Sequence, residues 1–292
     1  MNAPLRCAPA AELRGDPLHG TAAPAQRFVL VEQPGAWGRN ALHESRLGDD
    51  VVRGLLATCR ASGGRLLLIR RAHREPDAAR RFAIVDARSG SERVWWGAYE
   101  DERELAELEL ERPPGSPTTE PILLVCTHGR RDPCCARRGW PVVLALTDAF
   151  PDWTWQCSHV GGDRFAANFV LLPHGLYHGH VAPDEAVDVV RRYRRGLVTT
   201  DRLRGRSCYP PAVQSAQHFA RLDLDDHRLR SLEPISWTAP TGDRVRVRLA
   251  REDRELRVTV RRETSEPIPR LTCGAVSAAR VDHYVLEAIE AL

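Results

Sequence analysis

The chain has 292 residues, with 42 basic and 39 acidic side chains, a formal net charge of +3 and an apolar share of 42%. That is the composition of a soluble globular protein of about two domains, and so small a charge gives no electrostatic footprint of a nucleic-acid binder. No apolar run is long enough to span a membrane. The Ala- and Pro-rich stretch from Met1 to Gln26 lacks the apolar core of a secretory signal, so a cytoplasmic location is expected.

In chain order, residues 1–26 read as a flexible tail. Arg27 to Glu32 (RFVLVE) is a short apolar run and reads as a buried strand. PGAWGRNAL is expected to open a helix after a Gly-rich turn, and Val51 to Ala61 has helical spacing. Arg65 to Arg70 is a strand. Arg81 to Asp86 and Arg93 to Gly97 form a hairpin, and Asp101 to Glu111 is an acidic helix. The Pro-rich segment RPPGSPTTEP reads as a linker. A second unit follows in the same style. It has a strand at Ile122 to Val125, helix from about Cys135 to Phe150, a strand at Trp153 to Gln156, a hairpin over Phe169 to Val181, and a helix from Asp184 to Tyr193.

Phe28 to Ala41 lies without gaps on Ile122 to Cys135, so that Gly35 meets Gly129 while Glu32 falls on Cys126 and Ala41 on Cys135. This suggests an internal duplication whose first copy lacks ligands. Beyond Tyr209-Pro210-Pro211 a helix is expected, then two alternating hairpin strands, DRVRVRL and ELRVTVRR, and a terminal helix over Asp282 to Leu292. The expected organisation is therefore a tail (1–26), an N-terminal α/β domain without ligands (27–118), a ligand-bearing α/β domain (119–200) and a C-terminal α+β region (201–292).

All 42 basic residues are arginine, which suits forked pairing with acidic partners. Of eight cysteines, Cys126, Cys134, Cys135 and Cys157 lie close together in the sequence, whereas Cys7, Cys59, Cys208 and Cys273 are scattered. Clustered cysteines in a reducing compartment point to metal or redox chemistry. The scattered ones read as buried small apolar residues. Two segments carry the chemistry: VCTHGRRDPCCARRG, with Cys126 at a strand end and Cys135 near a helix start, and CSHVGGDRFAANFVLLPHGLYHGHV. A helix N-terminus favours a thiolate, and iron–sulfur clusters need such donors on rigid loop ends.

Cys126, the CARRG beginning at Cys135, and LPHGLYHGHV resemble the thioredoxin-like 2Fe–2S ferredoxins. The chain resembles still more closely the sucrase/ferredoxin-like family, which includes fungal actin-patch-distal type proteins with two histidine ligands. The resemblance implies a thioredoxin-like fold and a 2Fe–2S cluster on Cys126, Cys135, His159 and Asp163. His159-Val-Gly-Gly-Asp163 keeps the family's spacing, but with a carboxylate in place of the second histidine. Cys157, two residues before His159 and on the same strand face, is a rival for the fourth position, with His128 and Cys134 behind it. Cys134 reads as a bystander. His174, His178 and His180 read as solvent-facing, and Arg130, Arg131, Arg137, Arg138 and Arg164 as solvated charges. The resemblance implies an electron carrier or redox sensor rather than an enzyme in its own right, with a redox partner such as a flavoprotein reductase. A thioredoxin-like thiol–disulfide oxidoreductase and a structural zinc protein on Cys126, Cys135, Cys157 and His159 are the alternatives.

Overall fold

The computed structural model describes residues 5–73, 79–239, 242–252 and 254–292. Helix α1 (Cys7–Arg14) is followed by strand β1 (Arg27–Glu32), helix α2 (Asp49–Ala61), β2 (Gly64–Arg70), β3 (Arg80–Asp86) and β4 (Arg93–Tyr99). Strand β1 runs parallel to β2 and antiparallel to β3, which pairs antiparallel with β4. The second unit repeats the plan with β5 (Ile122–Cys126), α3 (Pro133–Ala149), β6 (Thr154–Cys157), β7 (Phe169–Leu172), β8 (Leu176–His178) and α4 (Pro183–Arg194). Strand β5 is parallel to β6 and antiparallel to β7, which pairs antiparallel with β8.

Numbering strands within each unit, both have the order 2-1-3-4 and the same directions, the arrangement of a thioredoxin-like unit. The two join edge to edge where Ile69 and Arg70 of β2 pair antiparallel with Cys157 and Gln156 of β6. With β9 (Leu203–Arg206) added beside β8, the result is one continuous sheet in the order β4-β3-β1-β2-β6-β5-β7-β8-β9. Strands β1 and β5 lie inside it, which explains why their sequences are unbroken apolar runs rather than alternating ones. Helix α5 (Pro211–Leu224) then packs on a separate antiparallel sheet of β10 (Glu233–Trp237), β11 (Arg244–Arg251), β12 (Arg254–Thr264) and β13 (Asp282–Ala291).

One face of the large sheet is covered by α2 beside β1–β3 and by α3 and α4 beside β5, β7 and β8. The opposite face is covered in part by residues 7–25. Cys7, Ala8, Ala22 and Ala25 share a core with Phe28, Ile69, Leu124, Trp155 and Cys157. The segment expected to be a flexible tail is thus ordered from Leu5 onward; residues 1–4 lie outside the described residues. Its backbone is tied down: Thr21 N–H donates to the Arg204 carbonyl, Ala25 N–H to that of Ser207, and the Gln214 side chain holds both the N–H and the carbonyl of Ala22. Small residues fit where a chain lies flat on a sheet, and nothing in an Ala- and Pro-rich composition reveals that.

Three further expectations change. Residues 33–48 form no helix; the loop is closed instead by Glu44, which accepts from the amides of Arg39 and Asn40, and by the Trp37 indole donating to the Gln33 carbonyl. The acidic stretch forms only a six-residue 3₁₀ turn, Glu102–Glu107, capped by Asp101. The C-terminal segment is strand β13, not a helix, because pairing along most of β12 overrides the helical preference of its Ala, Leu and Glu. No helix among the described residues is long and apolar enough to cross a membrane.

Burial holds several imidazoles below their ordinary range, among them His19 and His174 at about 4 and His178 at about 3. In the unfolded chain each returns to about 6.5 and binds a proton that the fold refuses. The stability these groups contribute is therefore full above about pH 6.5 and declines as pH falls towards 4. Urea unfolding between about pH 7 and 4.5 should show that decline, with a shallower slope in His178→Leu. An unchanged slope in the variant would remove His178 from the account.

Candidate metal centre

Strand β5 delivers Cys126 to the sheet's end, and the chain turns through residues 127–132 into α3. Asp132 caps that helix, its Oδ1 accepting from the Cys134 N–H at 2.8 Å, and Pro133 takes the first helical position. Gly139 lets the helix approach the strand end, since a Cβ there would lie 2.3 Å from the Cys126 carbonyl oxygen. Cys135, in the first helical turn, thereby comes to rest beside Cys126.

The other two groups come from the turn after β6. Gly161 and Gly162 adopt φ of +89° and +76°, conformations that side chains disfavour. This turn brings Asp163 back onto His159, with Nδ1 and Oδ1 3.0 Å apart, while the Cys135 Sγ donates to the same oxygen at 3.4 Å. The donor atoms of Cys126, Cys135 and His159 all lie within 4.8 Å of one another. Both sulfurs are fully buried and Asp163 nearly so, while His159 keeps one edge at the surface.

The charges in this group support one another. The Cys126 thiol is held well below its ordinary range by hydrogen bonding from Cys135, with His159 adding to the effect against burial. Cys135 is pushed up correspondingly by Cys126 and by burial. Burial acts to lower His159, but the Asp163 carboxylate and the Cys126 sulfur outweigh it and raise the imidazole to about 9. Burial likewise opposes ionisation of Asp163, and the contact with His159 more than offsets it. The site is therefore already organised around a thiolate and a carboxylate.

Cys157 sits beside Cys126 on the neighbouring strand and the same sheet face, yet stands outside the donor group. Burial pushes its thiol up, which favours the neutral form. Cys134 points away from the group, towards Cys273. His128 is occupied by the Gly38 carbonyl, 2.9 Å from its Nε2. The hairpin histidines are not solvent-facing: His178 is buried against Phe169, His180 against Phe165, and His174 meets the Tyr193 hydroxyl at 2.6 Å. Nor are Arg138 and Arg164 solvated charges. They reach Glu12 at 2.6 Å and Asp16 at 3.2 Å and so pin the N-terminal segment over the site.

Two positioning residues escaped the sequence reading. Arg204 is 1% exposed and donates to the Gly161 carbonyl at 2.9 Å, to the Asn168 Oδ1 at 2.7 Å and to Thr21. Asn168 in turn donates to the Gly162 carbonyl at 2.8 Å, and its own carbonyl accepts from the Cys126 N–H at 3.0 Å. Together they lock the turn carrying His159 and Asp163 to the strand end carrying Cys126. A basic residue in LRGR carries no local signal that it will be buried.

The family model described as sucrase/ferredoxin-like matches residues 18–205. The chain belongs to the sucrase/ferredoxin-like family. Among curated proteins, a stretch of 98 residues is 30% identical to "Altered inheritance of mitochondria protein 32" of Meyerozyma guilliermondii, covering 30% of this chain and 35% of that protein. The chain thus matches about a third of that relative's length. Among solved structures, a variant of the thioredoxin-like [2Fe–2S] ferredoxin from Aquifex aeolicus aligns over 29% of this chain and 96% of its own, with 18% identity and a TM-score of 0.25. The family match spans both thioredoxin-like units and reaches Arg204, so it covers the strand ends, the turn and the guanidinium that locks them.

Replacing Arg204 by Met leaves four acceptors without their donor, the Gly161 and Thr21 carbonyls, the Asn168 Oδ1 and the Thr21 hydroxyl, each costing about 1–3 kcal/mol where it stays buried and unpaired. Thermal unfolding should show that loss. Amide hydrogen exchange in residues 159–168 should also speed up; equal exchange rates would show that the turn holds its shape without the guanidinium.

Proposed function

We propose that this protein is an electron carrier or redox sensor holding one 2Fe–2S cluster on Cys126, Cys135, His159 and Asp163. The observation that carries the reading is the convergence of Cys126, Cys135 and His159 within 4.8 Å of one another, two of them fully buried sulfurs, with Asp163 in contact with Cys135 and His159. The donor set fits such a group. His159 Nδ1 is buried 3.0 Å from Asp163, and a metal bound there would take the place of the proton that the carboxylate and the Cys126 sulfur favour on the ring. A bound cluster would supply one-electron chemistry. The protein's share is to hold the thiolates at the strand and helix ends, to keep solvent out with the N-terminal segment, and to leave the edge of His159 exposed.

That edge opens on a cleft of about 370 Å³ lined by Arg39, Arg60, Arg65 and Arg131. A cleft of one sign steers an oppositely charged partner, which supports docking of an acidic redox partner such as a flavoprotein reductase. The thiol–disulfide alternative is disfavoured because Cys126 and Cys135 are both 0% exposed, out of reach of a protein disulfide.

Anaerobic purification should give about two irons and two acid-labile sulfides per chain. Cys126→Ser and Cys135→Ser should each lose most of the iron, and Asp163→Ala should alter the visible spectrum more than Cys157→Ala. Wild-type protein that holds no acid-labile sulfide after such a preparation would sink the proposal, and the opposite ranking of the last two variants would move the fourth position to Cys157.

The donors' charges give a further expectation. Two thiolates, a neutral imidazole and one carboxylate carry one negative charge fewer than four thiolates. The midpoint potential should therefore lie above the roughly −400 mV of plant-type all-cysteine ferredoxins. His159→Cys should lower it, and a potential unmoved by that substitution would argue against His159 as a ligand.

A further inference from the structure

The four cysteines of the two segments above do not share one centre. Cys134 faces a second group of donors that assembles three distant parts of the chain. Its Sγ lies 3.5 Å from that of Cys273, which lies 3.5 Å from that of Cys7. Both Asp132 oxygens are 3.6 Å from the Cys7 sulfur, and all four donors fall within 4.8 Å of one another.

We propose that Cys7, Cys134, Cys273 and Asp132 form a closed tetrahedral site for one zinc ion. With Zn–S of about 2.3 Å and Zn–O of about 2.1 Å, a tetrahedron separates two sulfurs by about 3.8 Å and a sulfur from an oxygen by about 3.6 Å. The observed spacings are within a few tenths of an ångström of these. Asp132 supplies a second, independent reason. It is 0% exposed, and among the described residues it forms no ion pair. A buried carboxylate beside three sulfurs calls for a cation.

The outer shell suits a ligand of this kind. The Cys134 N–H donates to one Asp132 oxygen at 2.8 Å and the Cys273 N–H to the other at 2.6 Å, fixing the carboxylate's orientation while leaving each oxygen a free lone pair. On binding, each thiol yields its proton to solvent and no oxidation state changes.

The site also explains where the C-terminal chain goes. Between β12 and β13, residues 265–281 leave the small sheet as an arm closed on itself by the Ile268–Ala279 bridge, with most of its residues exposed. Near its tip, Cys273 reaches the start of α3, and Arg270 donates to the Leu5 carbonyl at 3.2 Å. A zinc ion there clips the arm and the N-terminal segment to the helix that also carries Cys135.

The test is metal content of the full chain, purified anaerobically without chelators. One zinc per chain is expected. Cys273→Ser, in an exposed arm that threatens folding little, should lose the zinc and keep its iron, whereas Cys126→Ser should keep the zinc and lose its iron. The zinc readout stands whether or not the cluster proposal survives. Zinc retained in Cys273→Ser, or lost in Cys126→Ser, would overturn the assignment. So would a disulfide between any two of Cys7, Cys134 and Cys273 in freshly purified protein. Should substitution at Cys7 prevent folding, proteolysis of wild type decides the point: cleavage within 265–281 should speed up on adding a zinc chelator, and equal rates would count against the clip.

Discussion

The first turn of α3 is the constraint on which the rest of the molecule depends. Asp132 caps the helix, and Gly139 allows its backbone to touch the end of β5. That contact fixes the angle at which two neighbouring cysteines leave the helix. Successive residues on an α-helix point about 100° apart, so Cys134 and Cys135 cannot face the same way. Cys135 turns to Cys126 and Asp163, and Cys134 turns to Cys7 and Cys273. A vicinal pair that reads as one ligand and one bystander is, in the fold, a pair directed at two separate groups of Cys, His and Asp side chains.

The electrostatics follow from the same placement. Sulfurs and carboxylates gathered at strand ends need positive potential that does not itself act as a ligand. Helix N-termini supply part of it. Arg204 supplies more: it is buried, binds neutral acceptors rather than a carboxylate, and so keeps its charge available to the turn bearing Asp163. Burial lowers Arg204 only to about 10, which leaves it cationic across the physiological range. Arg138 and Arg164 act from the other side while holding α1 in place.

Where the signal is local, it was legible. The apolar runs of β1 and β5, the hairpin at Pro173-His174-Gly175 and the helix after Pro183 follow from composition and turn chemistry. The same holds for Cys126 at a strand end and Cys135 at a helix start, and for the spacing that puts Asp163 one tight turn from His159. What was not legible depends on long-range contacts. The N-terminal segment owes its order to the sheet face beneath it, β13 to the edge of β12, and the buried state of His178 and Arg204 to layers assembled from elsewhere. Cys7 and Cys273 read as incidental because the residues they meet, Asp132 and Cys134, are more than a hundred positions away.

The first thioredoxin-like unit shows what such a scaffold does without ligands. Glu32 stands at the end of β1 where Cys126 stands at the end of β5, and its carboxylate accepts from the Arg81 amide rather than facing a second donor. The loop after it spans residues 33–48 before a helix begins, against 127–132 in the second unit, so no residue equivalent to Cys135 reaches the strand end. What remains is used to support the other copy. Arg65 on β2 donates to the His159 carbonyl at 2.9 Å, the Gly38 carbonyl engages His128, and the Ser158 hydroxyl accepts from the Leu68 N–H at 3.0 Å. Because β2 pairs directly with β6, these contacts reach the strand that leads into the His159–Asp163 turn. The first unit thus forms one wall of the arginine-lined cleft and braces His159 from behind, a role that needs an intact β2 and no chemistry of its own.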